Sequence, residues 1–154
     1  MHNSQAIRAI VVGLPVRDGH VLIQDDVDKV KGQPFHRAIG GGIEFGETSE
    51  VALRREFMEE VGVQLGNVHL LGVVENLFEY EGQPGHEVVF IYAVESDQID
   101  DISLDAQLAV LDQPELPIRW VPFDDGWPLY PSGVRELLFA GEISNPQTPA
   151  STAP

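Results

Sequence analysis

Glu56, Glu59 and Glu60, close together in one short stretch, are the residues best able to do chemistry in this 154-residue chain. At about 100° per residue, a helix capped by Thr48 or Ser49 and running to Val61 puts Glu56 and Glu60 one turn apart. The same helix gathers Val51, Leu53, Phe57, Met58 and Val61 on one side. That predicts a packing face there and a carboxylate face roughly opposite. Like charges at these spacings cost roughly 0.2–0.5 kcal/mol per pair. Glu59 and Glu60 also sit in the last turn, where the helix dipole prefers cations. A hard divalent cation with oxygen ligands would turn this repulsion into shared coordination. A solvated acidic face is the other reading, and the helix alone does not choose between them.

Gly40, Gly41 and Gly42 stand just ahead of that helix and let the backbone turn sharply with its amides and carbonyls accessible. The sequence holds no GxxxxGK[ST] phosphate loop, no GxSxG elbow and no EF-hand spacing. It holds no cysteine either, which removes disulfides, thiolate zinc sites and cysteine nucleophiles. With 25 acidic residues against 9 Lys and Arg, the formal charge is −16. Duplex DNA, bulk RNA and anionic membrane surfaces all need cationic partners and are disfavoured. A small phosphorylated molecule is compatible with that charge if a divalent cation supplies the positive charge.

The elements that must position these groups read as strands broken by two helices. Ala6 to Pro15 is a β-branched run expected to be a strand covered on both faces, and Arg17 to His20 a turn into a second strand, His20 to Gln24. Asp25 to Pro34 is polar and predicts a loop. Phe35 to Ile39 predicts a short strand stopped by the three glycines. After the helix, Gly62 suits the left-handed residue that ends it. Val68 to Tyr80 and Glu87 to Glu95 read as antiparallel strands joined through Glu81 to Gly85, and Asp97 to Pro117 as a long loop. Ile118 to Phe123 predicts one more strand and Ser132 to Ala140 a closing helix. One domain over 1–141 and a disordered tail over 142–154 are expected, because the last eleven residues hold three prolines. The apolar stretches are too short for a signal peptide or a membrane span, so a soluble, cytoplasmic protein is expected.

Gly41, five residues, Glu47, seven residues, then Arg55-Glu56-Phe57-Met58-Glu59-Glu60-Val61-Gly62-Val63 resembles the complete signature of the Nudix hydrolases, the MutT-like domain family. Every fixed position matches over 23 residues, and the surrounding strands with the closing helix are similar to the family's α/β/α sandwich, built on a mixed β-sheet with a loop-helix-loop motif. The resemblance implies hydrolysis of a nucleoside diphosphate linked to another group, with Mg²⁺ or Mn²⁺ as cofactor. It implies Glu56 and Glu60 as metal ligands, Glu59 as ligand or water-activating residue, and the Gly40 carbonyl completing the set. Gly41 lies at the substrate, while Glu47, Arg55 and Gly62 support the motif. His36 and Ile39 stand where many relatives have Trp and Pro, which bears on substrate class more than on catalysis.

Relatives often recruit a further carboxylate from a distant loop as catalytic base or extra metal ligand, for which Glu115 comes first and Glu87 second. Base recognition needs an aromatic face or a guanidinium plane, and Phe35, His36, Arg37, Phe78 and Tyr80 are the candidates. His2, His20, His36, His69 and His86 share no metal-ligand spacing, and Trp120 and Trp127 are expected in packing. A nucleotide-sensing module on the same fold is the rival to an enzyme. The full glutamate set speaks against it, and the absence of cysteine against the isopentenyl diphosphate isomerase branch. A small nucleotide derivative is the expected partner. Relatives are often dimers, so a homodimer stays open.

Overall fold

The computed structural model describes residues 5–110 and 113–140; the side chains of 113–115 and the expected tail over 142–154 lie outside the described residues. Strand β1 (Arg8–Leu14) lies at the centre of a mixed sheet. On one side it runs parallel to β6 (Gln83–Val94), which pairs antiparallel with the edge strand β5 (Val68–Tyr80). On the other side it pairs antiparallel with β4 (Gln33–Gly42). Beyond β4 come β3 (His20–Asp28), β8 (Gln113–Pro122) and β7 (Gln107–Val110), all antiparallel. The two-residue strands β2 (Val16–Arg17) and β9 (Leu129–Tyr130) attach to β3 and β4.

Side chains alternate between the two faces of a strand, and both faces of this sheet are covered. Val11, Leu22 and Ile39 pack with Leu53 and Phe57 of α1 (Ser49–Glu60). Their neighbours Val12, Val21, Ile23 and Ala38 pack with Val134 and Leu138 of α3 (Val134–Phe139). The result is the expected α/β/α layering. Among the described residues no helix is long and apolar enough to cross a membrane.

Several expectations need correction. The loop expected over Asp25 to Pro34 shrinks to 29–32, because the acidic residues of β3 find partners across the sheet. Asp25 meets His36 and Arg119, and Asp26 meets Arg37. Asp28 caps the turn itself, accepting from the amides of Val30 and Lys31 at 3.0 Å each. The glycines do not stop β4: the strand runs through Gly42, with Val12, Val11 and Ile10 opposite Gly40, Gly41 and Gly42. β1 and β4 approach so closely there that a Cβ on Gly40 would fall 1.9 Å from the Val11 carbonyl oxygen.

The connection expected over Glu81 to Gly85 is a two-residue turn, Glu81-Gly82, both at positive φ. Pro84 then lies in a stretch of β6 that pairs with β5 alone, where a missing N–H is tolerated. The long loop expected over Asp97 to Pro117 contains the short helix α2 (Asp97–Asp100), β7 and the start of β8. Ser96 caps α2, and the Arg17 guanidinium donates to the carbonyls of Asp100 and Ile102. Such side-chain to backbone bonds leave no hydrophobic period to read. The closing helix is shorter than expected, starting after Gly133.

The largest correction concerns α1. Its buried residues are Ala52, Leu53 and Phe57, while Val51 and Met58 are 53% and 46% exposed. The inward face is therefore rotated from the one expected, and at about 100° per residue Glu56 and Glu60 fall within it rather than opposite. Phe57 is fully buried, and an added Cβ on Gly13 of β1 would meet its ring at 2.7 Å. Phe57→Ala is expected to cost about 3–5 kcal/mol in urea unfolding. A loss below about 1 kcal/mol would show that this ring does not anchor α1.

Candidate active site

The loop before α1 is tied to the helix through one guanidinium. Arg55 donates to both Glu47 oxygens at 2.8 Å, to the Gly42 carbonyl at 3.0 Å and to Glu56 at 3.0 Å. It also reaches Glu59 at 3.4 Å. Glu47 Oε1 accepts from the amide of Glu44, and Thr48 caps the helix by accepting from Val51. Gly62, at φ +75°, ends it with its amide bonded to the carbonyls of Phe57 and Met58. The Arg55 hydrogen bonds, seconded by the Glu44 backbone, hold the Glu47 carboxyl down at about 2.

Of the three helix glutamates, the structure brings two together. Glu56 is 13% exposed beneath Gly41, where a Cβ would come within 2.5 Å of its carboxylate. Glu60 is half-buried and takes a hydrogen bond from the Gly40 backbone. Burial first, and the neighbouring Glu56 carboxylate second, push its pKa up to about 8. Glu59 is 59% exposed and turned to Arg55. Among the described residues no three acidic or histidine side chains converge into a ready cage.

Gly40 and Gly41 also line a cleft of about 370 Å³ between the β5–β6 hairpin and β4. Arg37, Tyr80 and Glu87, expected at the site from sequence, line the same cleft, as do Phe35 and Phe78. Arg37 pairs with Asp26 at 2.7 Å and lies 5.8 and 5.9 Å from the ring centres of Phe35 and Tyr80. Burial raises the Glu87 pKa, against the opposing charge of Arg8 at 3.8 Å. Glu115 falls in β8, and its side chain lies outside the described residues.

His36 does not line the cleft. It is fully buried, its ring nitrogens 2.9 Å from Asp25 and 2.6 Å from Asp125, and it stacks on Trp127 at 4.8 Å. Trp120 is buried with its indole N–H on the Ile102 carbonyl. Among the cleft residues that sequence reasoning missed are Arg8, Asn76, Lys31 and Tyr130. Only the register that sets Asn76 opposite Glu87 and Glu87 opposite Arg8 singles out the first two, and no local pattern carries that.

Fold and site together define an α/β/α domain whose loop-helix-loop presses two carboxylates against the Gly40–Gly41 backbone, which also lines a cleft. The family model described as NUDIX domain matches residues 7–137, and the chain belongs to that family. Over 94 residues it is 28% identical to the mouse (Mus musculus) oxidized purine nucleoside triphosphate hydrolase. That match covers 58% of this chain and 53%, about half, of the relative. A MutT NUDIX hydrolase from Burkholderia pseudomallei shares the fold with a TM-score of 0.61 at 24% identity, covering 88% of this chain and 98% of that one. A mutator MutT protein from Bacillus halodurans does so at 0.57 and 21%, covering 86% and 80%.

The Glu47 carboxyl has a folded pKa of about 2 against an ordinary value of 4.5. Its stabilising contribution is therefore present above about 4.5 and lost as pH falls toward 2. Melting temperature followed from pH 6 to 2 is expected to fall less steeply for Glu47→Gln than for the unaltered chain. Parallel curves would refute the pairing.

Proposed function

We propose that this protein is a divalent-metal-dependent pyrophosphohydrolase that cleaves a phosphoanhydride bond in a small nucleotide derivative. The observation that carries this reading is the half-buried pair Glu56 and Glu60, pressed against the Gly40–Gly41 backbone. Two carboxylates in one partly desolvated site destabilise each other unless a proton or a cation lies between them. Carboxylate and carbonyl oxygens are the donor set a hard cation takes. The residues present therefore fit Mg²⁺ or Mn²⁺, held by Glu56 and Glu60 with the Gly40 carbonyl. When bound, the cation supplies the positive charge that a diphosphate needs and lowers the pKa of water. The activity named for the mouse relative supports a purine nucleotide as substrate class.

The chain's own residues then divide the remaining work. Arg55 fixes the loop and the helix as one unit, so that the carboxylates keep their place while charge changes around them. Glu59, at the exposed rim, takes the proton of the water that attacks phosphorus. The P–O bond of the anhydride breaks as the new one forms, and the displaced oxygen leaves on the other phosphate. Arg37 offsets phosphate charge in the cleft, and Tyr80 with Phe35 forms an aromatic wall.

Glu60→Gln is expected to lower kcat/KM by about a hundredfold or more in a phosphate-release assay with a nucleoside diphosphate panel, while the protein stays folded. Wild-type turnover in this variant would sink the assignment. Millimolar Mg²⁺ is expected to raise the melting temperature of the unaltered chain and leave that of Glu56→Gln unmoved. A metal-dependent nucleotide shift without turnover across the panel would support a sensor instead.

A further inference from the structure

Asn76, on β5, lines the cleft and is only 5% exposed. It stands in register with Glu87 on β6, and Glu87 with Arg8 on β1. An amide, a carboxylate and a guanidinium thus form a row across three strands, all lining the cleft. Glu87 and Arg8 are 3.8 Å apart. Among the described residues the Asn76 amide makes no hydrogen bond to the protein, and no fully enclosed side-chain polar atom goes without a partner. Its unpaired atoms therefore face the cleft space. An amide held that deep with its polar atoms open only to the cleft is placed to bond a ligand there.

We propose that Asn76 and Glu87 read the edge of a guanine-type base, an inference that rests on the nucleotide-hydrolase reading above. An ionised carboxylate only accepts hydrogen bonds, so Glu87 repels phosphate and calls for adjacent N–H donors. The Watson–Crick edge of guanine offers two, the ring imino and the 2-amino group, beside a carbonyl that the Asn76 amide N–H satisfies. Adenine brings one amino donor beside a bare ring nitrogen, whose lone pair would face the second carboxylate oxygen. Cytosine also has a single amino donor, and the one imino N–H of uracil lies between two carbonyls. Phe35, Phe78 and Tyr80 supply rings on which a base can stack. Arg8 balances the Glu87 charge without occupying the amide.

The test is calorimetric titration of guanosine, inosine and adenosine diphosphates, each with Mg²⁺, into the unaltered chain, Asn76→Ala and Glu87→Gln. The unaltered chain is expected to prefer the guanosine ligand over the adenosine one by about tenfold or more, with inosine, which lacks the 2-amino group, between them. Both variants should lose about tenfold for guanosine diphosphate and less than about twofold for adenosine diphosphate. Equal affinity for all three ligands in the unaltered chain would overturn the proposal, as would a variant loss shared equally by all three. The inosine comparison needs no substitution, so a misfolded variant does not spoil it. Turnover measured alongside separates the two claims. Guanine-selective binding without hydrolysis keeps the base-reading pair and removes the hydrolase. Hydrolysis without base selectivity does the reverse.

Discussion

Two carboxylates held against each other and against backbone is the constraint on which the rest of this structure depends. Glu56 and Glu60 lie on the inward face of α1, among Ala52, Leu53 and Phe57. Apolar burial on that face draws the helix onto the sheet, and the carboxylates come with it. The strand beneath must then lack a side chain under Glu56, which is what Gly41 provides, while Gly40 gives room to the β1 backbone. The Arg55 guanidinium holds the approach loop through Glu47 and the Gly42 carbonyl, and so fixes the helix in both rotation and height. Packing, strand composition and loop charge pairing thus serve one placement.

The charge distribution follows the same logic. The chain carries −16, yet Arg8, Lys31 and Arg37 all line one cleft. Asp28 and Glu87 line it too, with Arg8 beside Glu87 and Arg37 paired to Asp26, so the cleft brings cations and carboxylates together where the rest of the chain is mostly acidic.

Much of this was legible in the sequence because the functional helix is a local object. Thr48, Gly62, the glutamate spacing and the Glu47–Arg55 partners lie within sixteen residues of one another, so period and capping reveal them. The rotation of the helix was not legible. Val51 and Met58 are as apolar as the residues that bury, and only the docking onto β1 and β4 leaves them outside. The acidic part of β3 was missed for a related reason. Asp25 and Asp26 are poor strand formers until His36, Arg37 and Arg119 stand opposite, and those partners come from distant segments. The glycines read as a strand end because glycine usually weakens strands; here the β1 backbone lies against Gly40 and the Glu56 carboxylate against Gly41, leaving no room for a side chain at either. Asn76 was invisible, since a single amide in an alternating strand gains meaning only from its neighbours across the sheet.

His36 reaches further than its distance from the cleft suggests. Its imidazole is gripped by Asp25 on β3 and Asp125 after β8, lies flat on Trp127, and its amide bonds to the Pro128 carbonyl. Those links moor the segment carrying Pro128, Tyr130 and Pro131, one wall of the cleft, to the middle of the sheet. The facing wall, the β5–β6 hairpin, is tied at its tip to the turn after β3, where the Glu81 amide donates to Asp28, the Lys29 amide to Glu81 and the Tyr80 hydroxyl to the Val27 carbonyl. The cleft is therefore a vice with both jaws bolted, one through a buried imidazole and the other through the aspartate that caps the turn after β3. The width of the opening is accordingly set by the sheet itself rather than by either wall alone.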